Sequence, residues 1–148
     1  MRNTVLYFTS AAALFASGLA ENVFLIAPDA SATGTPVAVV WIVGESYNAS
    51  QYISIAQEFQ AQAAKGGLAA WIGIPDFTFS TPNPLEVKTH INDAVTFLKS
   101  AGFSGNSWFL AAHSLGGVMT QKYLTSNTNN FLGQILMSSV LLRDNHSI

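Results

Sequence analysis

Four short apolar runs constrain this chain more than any other feature: VAVVWIV at 37–43, LAAWIGI at 68–74, SWFLAA at 107–112 and ILMSSVLL at 135–142. Each is close to continuously apolar, with little alternation of period two. Strands read this way when both faces are covered, as in a parallel sheet with helices on each side. The runs recur at intervals of about thirty residues, the length of a βα unit, and segments of helical period lie between them. The expectation is an α/β fold: a mostly parallel sheet with flanking helices.

The connecting segments carry their own boundaries. The first helix is expected over 51–65, with Ile53, Ala56, Phe59 and Ala63 spaced to line one face and Gly66-Gly67 as a stop. In the second, Asn83 can cap, Pro84 sits at the first helical position and Glu86 is placed to return the capping hydrogen bond. Val87, Ile91, Val95 and Leu98 then form one stripe, and Gly102 ends it. A third helix begins at Leu115 and fades into the polar TSNTNN at 125–130. A further short strand, NVFLIA at 22–27, precedes the turn-rich PDASATGTP.

Composition removes several function classes. The chain has 148 residues, 49% apolar and only 9% charged. That balance is the reverse of a disordered segment and is enough for one domain with a real core. Net charge is −2 with scattered lysines and arginines, so there is no basic stripe and no nucleic-acid partner is expected. With no cysteine, disulfides, thiolate zinc sites and cysteine nucleophiles are excluded. Three dispersed histidines without HExxH give no metal site, and no GxGxxG or GxxxxGK[ST] follows a strand, so no cofactor is implied.

The first twenty residues, MRNTVLYFTSAAALFASGLA, have the layout of a signal peptide. Arg2 supplies the charge, Val5 to Ala16 the apolar stretch, and Gly18 and Ala20 the small residues before a cleavage point. Thr9, Ser10 and Ser17 break the stretch, which is too short to span a bilayer easily. The expected division is a leader over 1–20 and one domain over 21–148, with no stable membrane span in the mature chain and a secreted or lumenal location. Asn48-Ala49-Ser50 and Asn145-His146-Ser147 are sequons that fit that compartment, making Asn48 and Asn145 glycosylation candidates.

At the carboxyl end of the third run stands Ala112-His113-Ser114-Leu115-Gly116, a small-x-Ser-x-small pattern. A serine hydroxyl is a poor nucleophile unless it is held exposed, beside a base and facing donors for the developing oxyanion. A tight strand-to-helix turn meets the first need and demands small residues two positions either side of the serine. The turn also sets Ser114 at a helix N-terminus, where free N–H groups favour negative charge. The Leu115 N–H is the expected first oxyanion donor. The second is expected from the loop after the first run, WIVGESYNASQY, where Gly44 lets the chain turn close and leaves the Glu45 N–H pointing inward. A carboxylate there would repel an oxyanion, so the Glu45 side chain is expected to turn away.

AHSLGG after a buried strand, with VVWIVGES upstream, resembles the N-terminal half of an α/β-hydrolase, over about 37–142. The resemblance implies an acyl-enzyme mechanism on a small-molecule ester, thioester or amide, as in an esterase or lipase. Ser114 attacks, and the Leu115 and Glu45 N–H groups form the oxyanion hole. It also implies a triad acid and then a histidine after later strands, yet the sequence stops six residues beyond ILMSSVLL. The expectation is therefore an incomplete α/β-hydrolase-type sheet with its C-terminal strands missing. Of the residues present, His113 is sent to the other face by strand alternation and reads as structural. His90 reads as a solvated helix residue and Asp76 as a loop or turn residue. Asp144 follows the strand beside the one bearing Ser114, with His146 two residues on, so a compact Ser114–His146–Asp144 arrangement stays open. Trp41, Trp71 and Trp108 read as core, while Phe77 and Phe79 could line an acyl pocket. An acyltransferase shares every residue named, and a non-catalytic protein that binds a ligand or partner through the same cleft is the alternative of another class.

Overall fold

The computed structural model describes residues 13–15, 23–127 and 130–142. Its strands are β1 (Ala13–Phe15), β2 (Val23–Ile26), β3 (Thr35–Ile42), β4 (Leu68–Pro75), β5 (Trp108–His113) and β6 (Gly133–Met137). They form one six-stranded sheet in the order β1-β2-β4-β3-β5-β6. β1, β2 and β4 pair antiparallel. β4, β3, β5 and β6 pair parallel. The helices are α1 (Ile53–Lys65), α2 (Val87–Ser100) and α3 (Leu115–Leu124). The expected mostly parallel α/β sheet is the one observed.

β3 is the central strand, and its sequence shows why. Val39 is flanked by Ile72 of β4 on one side and Phe109 of β5 on the other. From Val37 to Val43 every residue is buried. A strand covered on both faces has no solvent side to mark with a polar residue, which is the physical origin of the unbroken apolar run. α2 packs on β4 and touches α3. Its buried residues are Val87, Ile91, Ala94 and Leu98. Each large side chain so buried stabilises by about 1.5–3 kcal/mol relative to exposure.

Several boundaries differ from expectation. The α1 helix starts at Ile53 because Ala49–Tyr52 winds as a tighter 3-10 turn in front of it. The Asn83 side chain does accept from the N–H groups of Leu85 and Glu86, at 3.0 and 3.2 Å. The Glu86 carboxylate, however, does not return to the cap; it accepts the Thr78 N–H at 3.2 Å, so α2 begins only at Val87. Ala94 takes the buried place assigned to Val95, which is only half-buried.

The largest correction concerns 135–142. Only Gly133–Met137 is strand, and from Ser138 the chain leaves the sheet. Its partner β5 ends at His113, opposite Met137, and a buried side chain on α3 takes up the stretch that follows. Gln121 donates from Nε2 to the Gly117 and Val140 carbonyls at 2.9 and 2.8 Å, and its Oε1 accepts the Leu142 N–H at 2.8 Å. Backbone groups that would have formed a ladder are satisfied by one amide instead. The expected leader lies outside the described residues except for β1.

Candidate active site

Because β3, β4, β5 and β6 run parallel, their carboxyl ends lie on one side of the sheet. Backbone strain gathers there. Among the described residues, the non-glycine positions with positive φ are Ser46 (66°), Phe79 (54°), Ser80 (53°), Ser114 (48°) and Ser138 (47°). Each stands within a few residues of the end of one of these four strands. Such angles cost about 1–3 kcal/mol apiece and persist only where the surroundings over-determine them.

Ser114 is the junction between β5 and α3, at φ 48° and ψ −121°. Its N–H donates to the Met137 carbonyl at 3.0 Å, which ties the turn to β6. Its carbonyl accepts the Gly117 N–H at 3.0 Å and the Ser139 hydroxyl at 2.8 Å. The hydroxyl makes no capping hydrogen bond to α3. Helix capping, the ordinary structural use of a serine at this position, is therefore not its use here. Ser114 is half-buried, and its hydroxyl has no hydrogen-bond partner among the described residues. Gly116 explains the small residue after it: an added Cβ would overlap the Val43 carbonyl and lie 2.9 Å from that of Ile42. The first turn of α3 thus sits directly on the end of β3.

That contact brings the β3–α1 loop beside Ser114. The loop is held from several sides. The Gly44 N–H donates to the Tyr52 hydroxyl at 2.9 Å, and that hydroxyl lies 2.7 Å from His113 Nδ1. The Ser46 N–H donates to the Ser80 carbonyl at 2.8 Å, and the Ala49 N–H to Asp76 Oδ1 at 2.5 Å. Asn48, exposed at the end of this loop, accepts the Ser50 hydroxyl at 2.5 Å. The N–H groups of Glu45 and Leu115 have no acceptor among the described residues. The Leu115 N–H stands in the first turn of α3, and the Glu45 N–H follows Gly44 in the β3–α1 loop. The Glu45 side chain is exposed to solvent.

The histidines are placed elsewhere. His113 is half-buried with its ring 5.7 Å from that of Tyr47 and 5.9 Å from that of Tyr52. His90, on α2, is also half-buried rather than solvated: it packs on Phe77 at 4.8 Å and faces Glu86 at 3.9 Å. Neither is positioned as a base for Ser114. Asp144, Asn145 and His146 lie outside the described residues. Phe77 is buried in the core, whereas Phe79 is 94% exposed on the strained β4–α2 loop. Trp41 and Trp108 are buried and Trp71 partly so. A groove of about 310 Å³ between α2 and α3, lined by Val87, Met119 and Tyr123 among others, includes none of the residues around Ser114.

Tyr52, which sequence reading did not single out, joins Gly44 to His113 beside Ser114. Burial pushes its phenol above the ordinary value, and the Gly44 N–H on its oxygen works in the opposite sense without cancelling that. The phenol therefore keeps its proton across the physiological range and can donate it. Among the described residues no cluster of His, Asp and Glu could hold a metal ion, and no helix is long and apolar enough to cross a membrane.

No family model matches the chain, and no curated protein matches it by sequence. Solved structures do. The S-formylglutathione hydrolase of Staphylococcus aureus is 17% identical, with a TM-score of 0.60 over 97% of this chain and 61% of its own. A fluorophosphonate-binding serine hydrolase from the same organism, solved with substrate bound, is 16% identical with a TM-score of 0.61 over 97% of this chain and 59% of its own. The juvenile hormone epoxide hydrolase of the silkworm Bombyx mori is 13% identical with a TM-score of 0.59, over 77% of this chain and 31% of its own. The chain thus spans less than two thirds of the length of each of these proteins. At such identities the likeness is one of fold alone: the sheet and helices of this chain follow part of the α/β-hydrolase fold.

Proposed function

We propose that this chain is a serine hydrolase that acts on a small-molecule carboxylic ester, or the related thioester or amide, through an acyl-enzyme on Ser114. The observation that carries the reading is Ser114 itself: a non-glycine residue at φ 48° whose hydroxyl does not cap the helix it begins. In the reaction, the Ser114 oxygen attacks the acyl carbon and the carbonyl oxygen becomes an oxyanion. The N–H groups of Leu115 and Glu45 receive that charge. Collapse expels the alcohol, and water then releases the acid. The positive end of α3 favours the same charge.

The base that takes the Ser114 proton is not among the described residues. Asp144 and His146 are the chain's own candidates for acid and base. Without a base, a serine facing an oxyanion hole retains only about 10³–10⁴-fold catalysis over water. The alternative reading is a protein of this fold that binds its ligand without turning it over. The proposed setting is the secretory pathway or outside the cell, after removal of residues 1–20.

A fluorophosphonate probe distinguishes the two readings, because phosphonylation needs an activated serine. The full chain is expected to be labelled on the peptide containing Ser114, and Ser114→Ala to abolish labelling. A chain that resists the probe while still binding apolar esters would sink the hydrolase reading. So would labelling that survives the substitution.

A further inference from the structure

We infer that Tyr52 and His113 are positioning residues, a two-link brace that fixes the Gly44–Glu45 turn relative to Ser114. The inference rests on the reading of Ser114 as a nucleophile, but the brace itself is independent of it. A backbone N–H can only donate, so the 2.9 Å bond from Gly44 uses a lone pair on the Tyr52 oxygen. Tyr52 is buried, and its hydroxyl has one other partner among the described residues, His113 Nδ1 at 2.7 Å. The pairing that also gives the buried phenolic proton a partner sends it to a bare Nδ1, with the ring proton on Nε2.

The geometry leaves the loop little slack. A Cβ on Gly44 would lie 2.6 Å from Nδ1, so the turn rests on the imidazole itself. Tyr47, on the same loop, closes the outer side with its ring 5.7 Å from that of His113 and 5.9 Å from that of Tyr52. His113 is joined to Ser114 by a single peptide bond. The donor side of the site is thus registered to the nucleophile through one peptide bond and two hydrogen bonds, and not only through the end of β3. Catalysis by an oxyanion hole depends on donors held in place before the charge appears, and small misplacements are costly.

The test uses the full chain, nitrogen-15 NMR and turnover of a short-chain aryl ester. In the unsubstituted chain the His113 ring is expected to show a bare Nδ1 and a protonated Nε2. Tyr52→Phe keeps the ring and removes the hydroxyl; His113→Leu removes the acceptor. Tyr52→Phe removes the Gly44 acceptor outright, and His113→Leu releases the phenol that carries it. In both, the Gly44 amide should exchange with solvent faster, about tenfold where the acceptor itself is lost. In both, kcat should fall about ten- to a hundredfold with KM changed less than about twofold. His113→Asn puts an oxygen where Nδ1 stood and should restore most of the protection and most of kcat. The brace is overturned if Gly44 exchange is unchanged in Tyr52→Phe, or if His113→Asn is as damaging as His113→Leu. If the unsubstituted chain turns over no ester, the hydrolase reading fails, and the exchange rates alone decide the brace.

Discussion

At φ 48° Ser114 occupies a conformation that glycine adopts without penalty, and no glycine is there. The cost of about 1–3 kcal/mol is tolerated because three backbone and side-chain hydrogen bonds hold the turn from β6 and α3. Gly116 is the other half of the device. Gly116→Ala is expected to destabilise the fold by about 1–3 kcal/mol, since the methyl would displace the end of β3 rather than a flexible side chain. Urea denaturation measures this, and an unchanged midpoint would show that the close contact between α3 and β3 is not tight. These two residues were legible in the sequence because the turn demands small neighbours, and that demand leaves a pattern. Tyr52 left none. Its role depends on a phenol folding back over a loop eight residues away in sequence, onto a histidine on another strand, and no local spacing encodes such a contact.

Elements were legible where burial is uniform and less so where one polar side chain decides. β3, β4 and β5 fall close to the apolar runs because covered strands need continuous apolar residues. ILMSSVLL carries two serines at its middle and ends as strand after Met137, where β5 also ends and Gln121 holds the next stretch. Nothing in the run itself announces a glutamine fourteen residues upstream of it. Gln121→Met, similar in length but without polar atoms, should leave the Leu142 N–H and the Val140 carbonyl unpaired. The expected loss is about 1–3 kcal/mol in urea denaturation. Limited proteolysis should then cut between 138 and 142, a segment intact in the unsubstituted chain under the same conditions. Retention of stability and of the cleavage pattern would mean water replaces the amide fully. The Asn83 hydrogen bonds were legible because they are local, reaching only to Leu85 and Glu86. They close the turn ahead of α2, however, and the helix itself is capped at Glu86 without a side-chain bond.

Over the whole molecule, the described sheet ends on one side at β6, whose residues are all half-exposed. Leu132, Val140 and Leu141 beside it are more than 60% exposed. An edge of this kind offers unpaired backbone groups and apolar contacts together. The full chain is expected to self-associate, with a sedimentation coefficient that rises with concentration, and Leu132→Lys with Leu141→Lys to reduce the effect. A concentration-independent monomer would show the edge to be covered. The fold class itself was readable at this scale because the βα rhythm repeats, but the antiparallel placement of β2 was not, since a four-residue strand carries no direction.

The strand order has a consequence for how the chain is made. β3 lies at the centre of the sheet, and both of its neighbours, β4 and β5, come after it in the chain. A ribosome delivers segments from the N-terminus onward. The scaffold strand is therefore already outside when each partner emerges, and β6 in turn finds β5 waiting. β2 breaks the sequence: it is synthesised before β3, yet besides the short β1 its partner is β4. For the interval in which α1 is being translated, that apolar segment has only the three residues of β1 to join, and its other edge is unpaired. It is then that a nascent chain of this design most needs a chaperone.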